Sequence, residues 1–105
     1  MAYYDRVRFE WDAAKDEANR KKHGLGFEEA AELFRSGADH LEIFDEAHSD
    51  EEERFISVGP IARGIIVVVW TERDACVRMI SARVATKREI AMYHRYMDHG
   101  GDTDE

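Results

Sequence analysis

The chain has 105 residues, 44% of them hydrophobic and 36% charged, with one proline and one cysteine, which describes one folded domain with a modest core and excludes a disordered chain. Cys76 stands alone, so an intramolecular disulfide and a cysteine-based zinc site are excluded, and the thiol reads as buried and structural. The net charge of −8 argues at first against a nucleic-acid partner, and the longest strongly apolar run, Ile65 to Trp70, is far too short to span a bilayer.

Val7-Arg8-Phe9-Glu10-Trp11 alternates apolar and charged residues and predicts a short first strand. Asp12 is a good helix N-cap, and Ala13 to His23 is rich in helix formers, with Lys21, Lys22 and His23 suiting the negative end of the helix dipole before Gly24 stops it. Phe27, Ala30, Ala31 and Phe34 share one face of a second helix, which Gly37 ends. Leu41 to Phe44 predicts a strand, and Asp45 to Glu53 a solvated acidic connection. Arg54 to Gly59 is the third strand, followed by a turn region from Pro60 to Gly64. Ile65 to Trp70 suits a central strand covered on both faces. Thr71-Glu72-Arg73-Asp74 predicts a turn and Val77 to Arg83 the last strand. Thr86 and Glu89 form a capping box at the start of a final helix, whose Ile90, Tyr93 and Met97 share a face. The expected order is β-α-α-β-β-β-β-α. This is an α+β fold in which an antiparallel meander carries helices on one face. Residues 1–99 are expected to form the single domain and 100–105 an acidic, frayed tail. No signal-peptide core is visible in the first residues, so a cytoplasmic location is expected, without membrane contact.

Charge is unevenly distributed. Residues 1–53 sum to −9, residues 54–95 to +5 and residues 96–105 to −4. A basic stretch within an acidic chain implies a local anion site. The cations of interest in it are Arg54, Arg73, Arg78, Arg83, Lys87 and Arg88. Strict alternation places Arg83 with Val77, Met79 and Ser81, and Arg78 on the other face with Ile80 and Ala82, unless a bulge intervenes. Cleaving RNA without a metal needs a base for the 2′-hydroxyl, an acid for the departing 5′-oxygen and cations aimed at the phosphate oxygens. Arginine offers planar, bidentate contacts that suit this last role. Glu72 or His48 is a candidate base, and the same groups or His23 a candidate acid. Surface arginines on a small domain are usually just solvated, so spacing alone does not single these out. His23 also reads as a helix C-terminal cation and His48 as a solvent-exposed loop residue. His94 and His99 are poorly spaced for one metal ion, and no phosphate-binding glycine loop exists, so neither metal nor cofactor is expected. Trp11 and Trp70 read as core, although a strand-end Trp70 could also stack on a base.

Taken together, Phe9-Glu10-Trp11-Asp12, Lys22-His23-Gly24, Phe27-Glu28-Glu29-Ala30-Ala31, Glu53-Arg54-Phe55-Ile56, Val68 to Arg73, Ile80-Ser81-Ala82-Arg83 and Ala85-Thr86-Lys87-Arg88-Glu89 resemble the BrnT family of toxins in order and spacing. The resemblance runs from about Phe9 to Tyr96. It implies a fold related to RelE-type ribonucleases, RNA cleavage that inhibits translation, and neutralisation by a BrnA-type antitoxin with a ribbon-helix-helix region. Promoter DNA would be reached only through that antitoxin. Carried over by position, Glu72, Arg73 and Arg83 are the expected catalytic residues, and Arg54, Thr71, Arg78 and Lys87 the expected RNA-binding ones. Two positions depart from the family: Trp70 stands where tyrosine is frequent, and Val84 where a further basic residue is. Gly26 also replaces the usual serine before Phe27, a change an N-cap tolerates. Two alternatives stay open: a non-catalytic module that docks RNA or the ribosome, and a toxin acting on a topoisomerase–DNA complex.

Overall fold

A computed structural model describes residues 7–48 and 52–98. The elements are β1 (Arg8–Glu10), α1 (Ala13–His23), α2 (Phe27–Ala30), α3 (Glu32–Arg35), β2 (Leu41–Phe44), a 3-10 turn (Glu46–His48), β3 (Phe55–Ile61), β4 (Gly64–Arg73), β5 (Cys76–Val84) and α4 (Lys87–Asp98). The strands form one five-stranded sheet in the order β1-β5-β4-β3-β2. β2 to β5 are the expected antiparallel meander, but β1 lies parallel to β5 at the far edge. A purely antiparallel sheet is therefore corrected to a mixed one: β1 and β2 sit on opposite edges, joined by the helices between them.

Local chemistry accounts for the helix boundaries. Asp12 Oδ1 accepts from the N–H groups of Ala14 (2.7 Å) and Lys15 (3.3 Å) at the start of α1. Gly24 ends α1 with φ +71°, a left-handed conformation that costs a residue with a Cβ but not glycine. Gly26, with no side chain to cap α2, has help from across the turn, where Asp16 Oδ1 accepts from Phe27 N at 2.8 Å. The single helix expected over Phe27 to Phe34 is two short segments. Ala31 between them has ψ −19°, a 3-10-like value that tightens the turn and breaks the α ladder. The predicted face survives the break: Phe27, Ala30 and Ala31 are fully buried and Phe34 nearly so.

Helices cover both faces of the sheet rather than one. On the first face α1 to α3 pack Leu25, Phe27, Ala30, Leu33 and Phe34 against Ile66, Val68, Trp70, Val77, Met79 and Ala82. On the second, α4 packs Tyr93, Ile90, Met92 and Met97 against Ile56, Val58, Ile65 and Val67. The physical reason is the central strand. Its unbroken apolar run presents Ile66 and Val68 to one side and Val67 to the other, and each side needs cover.

Two side chains and one glycine fasten the first layer. Asn19, buried in α1, donates from Nδ2 to Leu25 O (2.8 Å) and Ala82 O (2.7 Å), and its Oδ1 accepts from Ala82 N (3.1 Å). Its amide thus occupies the β5 edge beyond the end of β1. Arg63, in the β3–β4 turn, forms a fork on Glu29 (3.0 and 2.8 Å) and donates to Gly24 O (2.7 Å). At Gly59 a Cβ would meet His40 Cβ and Leu33 Cδ1 at 2.6 Å each, so only glycine lets α3 lie this close to β3.

The hairpins are longer than the sequence implies. β3 runs through Pro60 to Ile61, and Pro60 pairs with Ile65. Proline is tolerated there because β2 pairs only as far as Val58, leaving Pro60 with a neighbour on one side. Thr71-Glu72-Arg73 is strand, not turn: these residues pair with Arg78, Val77 and Cys76. The turn is only Asp74-Ala75, both in the left-handed region at φ +52° and +64°, the geometry that matches hairpin twist.

Candidate nucleic-acid interface

The arrangement of the arginines follows from one irregularity in β5. Val69 pairs with Ser81 and Trp70 with Met79, so Ile80 is an extra residue, a β-bulge. The bulge resets the alternation. Val77, Met79 and Ala82 all bury in the α1–α3 layer. Arg78, opposite Thr71, and Arg83, opposite Val67, therefore share the second face, since Val67 belongs to the α4 layer and positions 67, 69 and 71 alternate regularly along β4. This corrects the assignment of Arg78 and Arg83 to different faces.

α4 covers the part of this face around Val58 and Val67. Beyond it, toward the Thr71 end, lies a strip bearing Arg8, Glu10, Arg73, Arg78 and Ser81 around a buried Thr71, with Arg83, opposite Val67, at its border with α4. β1 contributes to it because Phe9 turns into the core, placing Arg8 and Glu10 on the opposite side. Arg54 lies one residue before β3, half-buried, and alternation from Ile56 places it on this face too. The Thr71 hydroxyl donates to Glu53 O and ties the segment before Arg54 to β4. Lys87 is exposed at the first position of α4, next along the chain from the Arg83 corner.

Arg73, Arg78 and Arg83 each stand beside a carboxylate. Arg78 Nη1 lies 3.2 Å from Glu10 Oε2 and Arg73 Nη2 3.7 Å from Glu52 Oε1. The tightest pair is Arg83 with Glu89, two parallel bonds of 2.8 and 2.7 Å. Glu89 simultaneously closes the predicted capping box, accepting from Thr86 N at 2.8 Å while its own N–H donates to Thr86 Oγ1 at 3.2 Å. The hydrogen bonds from Arg83, together with those from Thr86, hold the Glu89 carboxyl at about 2, well below its ordinary 4.5, although partial burial pushes the other way. The same pair raises the Arg83 guanidinium.

Not every expected site residue joins the strip. Glu72 pairs with Val77 and lines a depression on the α1–α3 face with Phe34, Glu42 and Trp70. A side chain on that side of the sheet does not reach a group bound beside Arg78 and Arg83. Trp70 is core, as expected. It donates from Nε1 to Ser57 Oγ (2.9 Å), stacks on Phe55 with centroids 4.8 Å apart, and meets Phe34 edge-on. His23 lies in the last turn of α1, on the other layer. The His48 side chain and His99 fall outside the described residues. Cys76 is buried, and among the described residues no three potential ligands cluster to hold a metal ion.

The sequence reading missed Arg8, Glu10 and Glu89 as parts of the strip. The only local signal for Glu10 was its alternation in β1, and its pairing with Arg78 spans 68 residues.

An arginine-bearing sheet face left partly uncovered, backed by a packed helical layer, gives this small α+β protein a surface whose chemistry suits a polyanion. The family model for the ribonuclease toxin, BrnT, of type II toxin–antitoxin systems matches residues 11–89, about three quarters of the chain. The chain belongs to that family. No curated protein matches it. Among the described residues no helix is long and apolar enough to cross a membrane.

Proposed function

We propose that this chain is an endoribonuclease that cuts RNA without a metal ion on the strip bearing Arg73, Arg78 and Arg83, with Arg8, Arg54 and Lys87 guiding the strand. The observation that carries the reading is the Ile80 bulge, which sets Arg78 and Arg83 on one partly open face. Two guanidinium groups on one surface can bracket a phosphate and stabilise the charge that grows on its oxygens as the 2′-oxygen attacks. Of the carboxylates on this face, Glu10 beside Arg78 accepts the 2′-hydroxyl proton in this reading, and the departing 5′-oxygen takes its proton from water. Glu89, held near 2, is too weak a base for that task and serves to orient Arg83. Glu72, the base expected from the sequence, is set aside for its position on the other face. Trp70 and Val84 leave this proposal intact, since neither the Trp70 indole nor a charge at position 84 is required by it.

Family membership implies an antitoxin partner and an RNA target. In this reading the antitoxin is of the BrnA type, with a ribbon-helix-helix region through which the pair reaches promoter DNA, the toxin fold is related to the RelE type, and the protein works in the cytoplasm.

The test is induced expression of the wild type, Arg78→Ala and Arg83→Ala in bacteria, followed by primer extension on total RNA. Wild type should inhibit growth and create new RNA ends. Each variant should lose about a hundredfold or more of the cleavage while circular dichroism shows an unchanged fold. A folded Arg83→Ala that cuts at the wild-type rate overturns the assignment. A non-catalytic docking module is favoured by one fact, that Arg73, Arg78 and Arg83 each already stand beside a carboxylate. RNA bound by the purified wild type without new ends would establish it.

A further inference from the structure

The face opposite the arginine strip carries its own open site, of opposite charge. A cavity of about 230 Å³ is lined by Val7, Phe34, Glu42, Trp70, Glu72, Ala75, Cys76 and Val77. Its aromatic members are firmly placed: Phe34 and Trp70 are buried and meet edge to face at 5.6 Å between centroids. The aromatic surface continues outward, with Phe55 stacked on Trp70 and Phe44, 46% exposed, edge-on to Phe55 at 5.7 Å. Glu42 and Glu72, both exposed, stand at the cavity from β2 and β4, and Asp74 is exposed in the turn beside it. His40 Nε2 lies 3.6 Å from Glu42 and is charged only when protonated.

We propose that this cavity receives a cationic side chain, arginine or lysine, from an apolar and basic segment of a partner protein, with the segment's apolar residues covering Phe44 and Phe55. Three features select that occupant. The volume falls below the roughly 300–1,000 Å³ of sites that enclose a free small molecule, and matches the end of one long side chain. Carboxylates flanking an aromatic floor attract a cation both directly and through the ring faces. The same carboxylates repel phosphate, so a nucleic acid is disfavoured here although aromatic rings could stack on bases. Because the site and the arginine strip lie on opposite sides of one sheet, a partner can hold the protein here without occupying the strip. The family reading identifies the antitoxin as the protein that would supply the segment; the chemistry of the site does not depend on that reading.

The experiment is a titration of the full-length, ¹⁵N-labelled chain with two capped tripeptides, acetyl-Leu-Arg-Phe-amide and acetyl-Leu-Glu-Phe-amide, read by amide and indole chemical shifts. The arginine peptide should saturably shift the Trp70 indole and the amides of Glu72, Ala75 and Val77, while Trp11 serves as internal reference. The glutamate peptide should bind at least about fivefold more weakly. Glu42→Gln or Glu72→Gln should weaken the arginine peptide about threefold, and the two together about tenfold, as expected for partly exposed ion pairs. Both changes are at exposed positions and leave the fold unchanged. Equal binding of the two peptides overturns the proposal, as do shifts confined to Arg78 and Arg83. Saturable shifts of the same cavity amides by a short RNA, or by self-dilution of the protein alone, would replace the peptide with a nucleic acid or a second copy and also overturn it. None of these readouts depends on nuclease activity, so their failure is separate from failure of the ribonuclease reading.

Discussion

The two faces of this sheet share the same strands and differ in nearly everything else. The first is closed by α1 to α3 over a large apolar cluster and is open at the end where Glu42 and Glu72 stand. The second is closed by α4 alone over a smaller cluster and is left open where Arg73, Arg78 and Arg83 lie. Stability thus resides mainly on one side and cationic chemistry on the other. The lesson is that net charge is a poor guide to what such a protein binds. At −8 overall, the chain still concentrates arginines on one surface, because strand alternation sorts residues by face regardless of the total.

The strongest way to break this division is to unfasten the first layer. Asn19→Ala should destabilise the protein by about 2–4 kcal/mol, since it strands buried donor and acceptor groups of Ala82 and Leu25. A lower urea midpoint checks this, and an unchanged midpoint would mean that α1 is held by apolar packing alone. Gly59→Ala should cost about 1–3 kcal/mol by pushing α3 off β3, again read from the denaturation midpoint. Smaller effects are expected at Arg83 and Glu89, on the second face. The Glu89 carboxyl lies lower in the folded chain than its ordinary 4.5, so its contribution to stability is present above about 4.5 and lost as the pH falls toward 2. Because the Arg83 side chain is 36% exposed, solvent screening keeps that contribution near 0.5–1 kcal/mol. Glu89→Gln, which retains a capping side chain, should flatten the acid limb of stability by about that amount. The smallest effect belongs to the turn that serves both faces. Ala75 sits at φ +64°, so Ala75→Gly should stabilise by somewhat under 1 kcal/mol, the relief of left-handed strain exceeding glycine's entropy cost. A lowered melting temperature would contradict the turn geometry.

Much of this was legible in the residues. Asp12, Gly24 and the Thr86–Glu89 box marked helix ends through local hydrogen bonding, and Phe27, Ala30, Ala31 and Phe34 marked a buried face through spacing. The bulge was harder. Val77, Met79 and Ala82 break the period of two, and that phase shift was the signal. Strict alternation placed Ile80 and Ser81 on separate faces and hid it. Thr71-Glu72-Arg73 read as a turn because three polar residues in a row look solvated, whereas register with Arg78, Val77 and Cys76 keeps them in strand. Glu72 entered the expected site by position in the family resemblance, and a turn reading left open the face that strand register assigns to it. Asn19 gave no sign at all, because its partner Ala82 is 63 residues away.

The central claim is that the strip of Arg73, Arg78 and Arg83 is where RNA lies. Its most direct test is titration of the labelled chain with a short RNA whose 2′-hydroxyls are methylated to prevent cleavage. The account predicts saturable, salt-sensitive shifts at Thr71, Arg78, Ser81 and Arg83, and little change at Glu42, Ala75 and Val77. Shifts centred on Glu42, Trp70 and Val77, with Arg78 and Arg83 unmoved, would contradict it.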